Sequence, residues 1–168
     1  VSNRAPLSPS PLIKLPIGSI RPEGWLRNQL RLQASGFHGH LGEISDFLVK
    51  KNNAWLDSSG AGQRGWEEVP YWLKGYLNCA LVLDDKEMLA EAKIWIDGAI
   101  ASKKPDGWFG PDIDRGGAAT RLKGVDELWP NIVMPFCLPD YPDATADDPG
   151  LPLLLNYVKY LTARPDNE

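Results

Sequence analysis

Gly65-Trp66-Glu67-Glu68-Val69-Pro70-Tyr71-Trp72-Leu73-Lys74-Gly75-Tyr76 sets two adjacent carboxylates among four aromatic rings and opens a helix. Trp66, Val69, Trp72, Leu73, Tyr76, Leu77, Ala80 and Leu81 recur at the three-and-four spacing of one helical face, and Pro70 falls in the opening turns, where a missing N–H is cheapest. Glu67 and Glu68 then stand at the positive end of the helix. Two readings are open. Acids in a first turn gain ~0.3–1 kcal/mol from the helix dipole alone, which makes them solvated N-terminal charges. Alternatively the stretch is a sugar platform, aromatic faces stacking on a ring while carboxylates take hydrogen bonds from its hydroxyls.

Working outward, Leu83-Asp84-Asp85 is a tight connection, and Met88, Leu89, Ala92, Trp95, Ile96, Ala99 and Ile100 mark a second amphipathic helix ending before Pro105. The two form a helical hairpin. Pro105-Asp106-Gly107-Trp108-Phe109-Gly110-Pro111-Asp112 cannot be helix and holds two rings in a defined loop, followed by irregular Gly-rich sequence to Asp126. On the other side, loop 51–64 carries Asn52, Asn53, Ser58, Ser59, Gly60 and Gly62, with Trp55 its one large ring: a plug on the core or a ligand contact.

Residues 1–16 hold Pro6, Pro9, Pro11 and Pro16 and read as an extended arm, like the linker that follows a removed export signal; a secreted or periplasmic location is the expectation. Order is expected from Ile17. Pro22 at a first helical position, then Trp25, Leu26, Leu30 and Leu32, predict a helix to about Ala34, closed by Ser35-Gly36. His38 and His40, two positions apart, face different sides of a helix but one side of an extended segment. A metal site there needs a third ligand that the sequence lacks, so hydrogen bonding or sugar contact is the reading. A weak amphipathic segment over 43–49 follows, with Ile44, Phe47 and Leu48 on one side.

A second copy of the pattern follows 63 positions on: Trp66 and Trp129, Asp84-Asp85 and Asp147-Asp148, and the apolar spacing of Met88 to Trp95 against Leu151 to Val158. Helix, turn, helix and long loop repeated is the signature of stacked hairpins. Pro135, Pro139 and Pro142 fall where the first helix of that copy runs, so it is expected to be short, kinked or irregular.

The net charge of −4, without basic runs, argues against nucleic acid or an anionic membrane surface as partner. No apolar run approaches the ~18 residues of a transmembrane helix. Seven tryptophans in 168 residues tilt the reading toward a carbohydrate-facing protein. Cys79 and Cys137 lie in apolar stretches and read as buried thiols; neither has a second Cys or His at zinc-ligand spacing.

Four strings, in order, resemble the N-terminal portion of bacterial and fungal proteins related to glycoside hydrolase family 127, the β-L-arabinofuranosidase-like enzymes. They are Leu15-Pro16-Ile17-Gly18-Ser19-Ile20-Arg21-Pro22-Glu23-Gly24-Trp25-Leu26, Gly65-Trp66-Glu67-Glu68-Val69-Pro70-Tyr71-Trp72-Leu73, Pro105-Asp106-Gly107-Trp108-Phe109-Gly110 and Asp126-Glu127-Leu128-Trp129-Pro130. The resemblance implies an all-α fold in which helical hairpins build an (α/α)6 barrel of the six-hairpin type, with sugar bound in the loops at one end. Such a barrel needs about twelve helices and on the order of 300 residues or more. Residues 17–168 are therefore expected to be its incomplete N-terminal portion, with the remainder of the barrel or another copy covering exposed helix faces.

The implied activity is hydrolysis of O-glycosyl bonds on plant or microbial polysaccharide side chains, with retention. The family's zinc-bound cysteine nucleophile and glutamate acid/base lie further along its chain; no cofactor is expected from these residues and none of them matches a catalytic motif. Glu67 and Glu68 cannot be a catalytic pair, because consecutive helical side chains diverge by about 100°. The sugar-contact candidates are Glu67, Glu68, Tyr71, Trp72, Trp108 and Trp129, with His38, His40 and Trp55 from neighbouring segments. The alternative functions are a non-catalytic carbohydrate-binding module and a helical-repeat interaction module.

Overall fold

The computed structural model describes residues 5–115, 126–139 and 150–164. Among the described residues every regular element is helical: α1 (Gly24–Ala34), α2 (Phe37–Ile44), α3 (Glu68–Leu83), α4 (Lys86–Ala101), α5 (Trp129–Val133) and α6 (Gly150–Thr162), with 3-10 turns at Asp46–Leu48, Asp112–Asp114 and Met134–Phe136. The fold class is all-α. A lone bridge between Asn53 and Arg64 ties the two ends of loop 51–64.

The α3–α4 hairpin is the centre of the molecule. α3 buries Val69, Trp72, Leu73, Tyr76, Leu77, Ala80 and Leu81 along the face its spacing defines, and Pro70 sits in the first turn, where no intrahelical N–H bond is lost. The turn is built by two aspartates with different tasks. Asp84 adopts the left-handed conformation, φ 57°, that closes α3, while the Asp85 amide donates to the Ala80 carbonyl at 2.9 Å. Asp85 then caps α4, its carboxylate accepting from the amides of Glu87 at 3.1 Å and Met88 at 3.0 Å. Asp85→Ala removes both acceptors, and a loss of about 1 kcal/mol is expected, read as a melting temperature lower by about 2–4 °C in a thermal scan.

α1 packs along the flank of α3, and α2 packs on α1 and reaches α3 through His38. Pro22 lies two residues before α1 rather than in its first turn, and Glu23 is the cap residue. Trp25, one of the residues that predict this helix, is 76% exposed, and α1 faces the core with Leu30 and Ala34. The segment around His38 and His40 is helix, not extended chain, so the two rings diverge. His38 turns to Tyr76, with ring centroids 5.9 Å apart, and His40 turns to Glu43, 2.6 Å away. The expected amphipathic stretch over 43–49 breaks into the end of α2 and a 3-10 turn that buries Leu48.

α5 is short and runs into the 3-10 turn at Pro135, as the prolines require. The 63-residue echo does not extend to burial. α6 buries Leu153 and Tyr157, which align with the exposed Ala90 and Ile94 of α4, and leaves Leu151 and Val158 exposed. The reason is its docking partner: α6 packs on loop 105–110, Tyr157 meeting Phe109 edge-on at 5.0 Å and Tyr160 meeting Trp108 at 5.6 Å. Gly107, at φ +103°, permits this approach, since a Cβ there would lie 2.4 Å from the Asn156 carbonyl oxygen. The echoed Asp147-Asp148, and Pro142, lie outside the described residues.

Candidate functional site

The loops that precede α3 and α5 are fastened to each other at one end of the hairpin. The Asp112 amide donates to the Gly60 carbonyl at 2.8 Å, and Lys104 Nζ donates to the Ser59 carbonyl at 2.6 Å. Loop 51–64 is itself organised around Asn53, whose side-chain amide donates to the Phe47 and Val49 carbonyls at 2.9 and 3.1 Å while its oxygen accepts the Trp55 amide at 3.1 Å. Ser102 performs the same task for the second loop, bridging the Ala99 carbonyl and the Gly110 amide, each at 2.7 Å.

The rings of these loops are plugs that anchor them to the core. Trp55 and Trp108 are 0% exposed, so the sugar-facing role expected for both gives way to core packing. Trp55 Nε1 donates to the Trp66 carbonyl at 2.9 Å and so pins the residue that leads into α3. Gly110, at φ +81°, lies against the Trp55 ring, 2.6 Å from where its Cβ would stand. Trp108 is covered by Tyr157, Tyr160 and the Arg115 guanidinium, whose carbon stands 5.4 Å from the ring centroid. Arg115 is held in turn by Asp106. Burial works against ionisation of Asp106, but the Trp108 amide and Arg115 outweigh it and keep its carboxyl below the usual range.

What remains on the surface of this end is Tyr71, 51% exposed, and Trp129, 49% exposed, with Glu67 and Glu68 partly exposed at the opening of α3. α5 packs directly on α3, and the Cys137 thiol donates to the Pro70 carbonyl at 3.3 Å, fixing one helix start against the other. One carboxylate oxygen of Glu68 is buried and has no hydrogen-bond partner among the described residues. Asn131 is fully buried; its side-chain amide donates to the Phe109 carbonyl, joining α5 to the loop.

Trp72 and His40 lie elsewhere. They line an open groove of about 950 Å³ whose floor is α3, with α1 and α2 on one side and the first half of α4 on the other. Trp72 is 8% exposed, stacked on Tyr76 at 4.6 Å and edge-on to Trp95 at 5.6 Å, so it serves the core more than the groove. Its Nε1 donates to the His38 carbonyl at 3.3 Å, which locks α2 to α3. The nine candidates therefore divide into buried rings, a loop end and a groove, rather than converging on one site.

Among the described residues, Asp57, Asp84 and Asp106 are displaced toward ionisation. The Ser59 hydroxyl and amide hold Asp57 down, and Lys86 does the same for Asp84. Among the described residues no group of three or more His, Cys, Asp or Glu could hold a metal ion. Cys79 and Cys137 are buried thiols directed at the Leu30 and Pro70 carbonyls, a donor set that does not fit zinc. No helix among the described residues is long and apolar enough to cross a membrane.

No family model, curated protein or solved structure matches this chain.

Sequence reasoning missed Asn53, Asn131 and the arginines of the groove. Arg27 and Arg31 stand four positions apart and so share a face of α1, a signal available in the sequence; nothing local marks Asn53 or Asn131.

Proposed function

We propose that residues 17–168 are the N-terminal portion of a six-hairpin (α/α)6-barrel glycoside hydrolase of the β-L-arabinofuranosidase-like kind, acting on polysaccharide side chains. In this chain the loop end supplies sugar contacts rather than the bond-breaking groups. One observation carries the reading: the two loops preceding α3 and α5 are hydrogen-bonded to each other, and beside them the exposed Tyr71 and Trp129 share a helix pair with Glu67 and Glu68. Aromatic surface beside carboxylates is the arrangement that grips a sugar, the ring stacking while its hydroxyls donate to the acids. The order of the four family-like strings supports the same assignment.

A non-catalytic carbohydrate-binding role is the second reading, supported by the same exposed Tyr71 and Trp129 beside Glu67 and Glu68, which can grip a ring without cleaving it. Both readings require binding. Titration of the chain with L-arabinofuranosides, followed by tryptophan fluorescence, is expected to saturate, and Trp129→Ala to weaken binding about three- to tenfold, the worth of one stacked ring. Because Trp129 is half exposed, its melting temperature should stay within about 2 °C of the parent. Release of L-arabinose by a protein in which the rest of the barrel completes this portion separates the hydrolase from the binding module, and failure of a panel of pentoses and hexoses to bind rejects both.

A further inference from the structure

The groove across α3 holds an imbalance that neither the core nor the loop end requires. Four of its carboxylates are already engaged. Glu91 accepts from Lys50 Nζ at 2.6 Å and from Trp95 Nε1 at 2.9 Å, Asp84 pairs with Lys86 at 2.6 Å, Glu43 with His40 at 2.6 Å, and Asp85 caps α4. The arginines are not. Arg27 and Arg31 line the opposite wall from one face of α1, and among the described residues neither guanidinium has an ion-pair or hydrogen-bond partner; Arg27 Nε is buried as well.

Arg27 and Arg31, four positions apart on one face of α1, put two positive charges on this wall, and the buried Arg27 N–H without an acceptor carries a desolvation cost, so the wall is complementary to an anion. Two further groups are uncommitted. Glu87 has no side-chain partner among the described residues, which leaves an acceptor on the α4 wall. The Tyr76 hydroxyl, pushed up to about 12 by burial and then by Glu91 and Asp85, stays protonated and can donate.

We infer that this groove binds a sugar acid, a hexuronate unit whose carboxylate is taken by Arg27 and Arg31 and whose hydroxyls meet Glu87 and Tyr76. Its volume of about 950 Å³ accommodates one or a few sugar units. The choice of a sugar as the body of the ligand rests on the proposed function; the need for an anion rests on the arginines alone. In a polysaccharide whose side chains alternate with uronic acids, the groove would anchor the polymer while the loop end takes the neutral ring.

Isothermal titration of the chain with D-galacturonate and D-glucuronate, beside D-galactose, D-glucose and acetate, tests this. Each uronate should bind about tenfold or more tightly than its neutral parent and than acetate, and should weaken as salt is raised. The double variant Arg27→Gln/Arg31→Gln, which keeps helix propensity, should lose about tenfold or more of that affinity. Arg27→Lys, which keeps charge but not the fork, should lose less. Trp129→Ala should leave uronate binding unchanged. Equal binding of neutral sugars, unchanged binding in the double variant, or uronate no tighter than acetate would overturn the inference. Loss of arabinofuranoside binding alone would instead count against the proposed function and leave the groove standing.

Discussion

Trp108→Ala is expected to cost about 3–5 kcal/mol, the range for deleting a fully buried large ring, and to lower the denaturation midpoint in urea sharply. A sugar contact in a Gly- and Pro-rich loop, the role its sequence context suggests, would predict the opposite: altered kinetics with a nearly unchanged melting temperature. Trp108 is instead the piece that α6 closes upon. It touches Tyr157 and Tyr160 edge-on, and Arg115 covers the remaining face. The variant should therefore loosen α6 as well, seen as faster amide exchange over Leu153 to Tyr160 relative to α3. A melting temperature within about 1 °C of the parent would reject the core assignment.

Asn53→Ala should be nearly as damaging. The asparagine is 1% exposed and makes three hydrogen bonds, so its truncation leaves the Phe47 and Val49 carbonyls and the Trp55 amide without partners. Each buried orphan costs about 1–3 kcal/mol, for a sum of about 3 kcal/mol or more before any relaxation. Asn53→Asp sharpens the test. It keeps the acceptor for Trp55 but removes the donor to the two carbonyls and brings a charge into the interior, so it should rescue nothing. Thermal unfolding of both variants beside the parent reads the difference, and parental stability in either would show that the loop is not held through this residue.

How much was legible divides along sequence distance. The α3–α4 hairpin, its two-aspartate turn and the shortness of α5 follow from local pattern: apolar spacing, a side chain that can cap, and prolines that cannot continue a helix. The sequence leaves α2 open between helix and extended chain because two histidines and two glycines in eight residues have weak helix propensity, which packing against α1 overrides. α6 kept the apolar content of its counterpart but not its face, because the surface it meets is an aromatic loop rather than a helix.

For the candidate site, composition identified the residue types but not their sides. A tryptophan in a polar loop satisfies the same sequence pattern whether it plugs the core or faces a ligand. Trp55 and Trp129 differ only in what packs against them: Gly110 and Phe109 close over the first, while Trp129 opens α5 half exposed. The groove arginines were overlooked for the reverse reason, since charges on a helix read as solvated until the facing wall is known.

By itself the sequence determined the all-α class, the hairpin and its registers, because these depend on interactions within a turn or two of the chain. Which rings are buried, which charges are left without partners, and that the loop end and the groove are separate places were decided only by the tertiary structure, because each depends on residues tens of positions apart meeting or failing to meet.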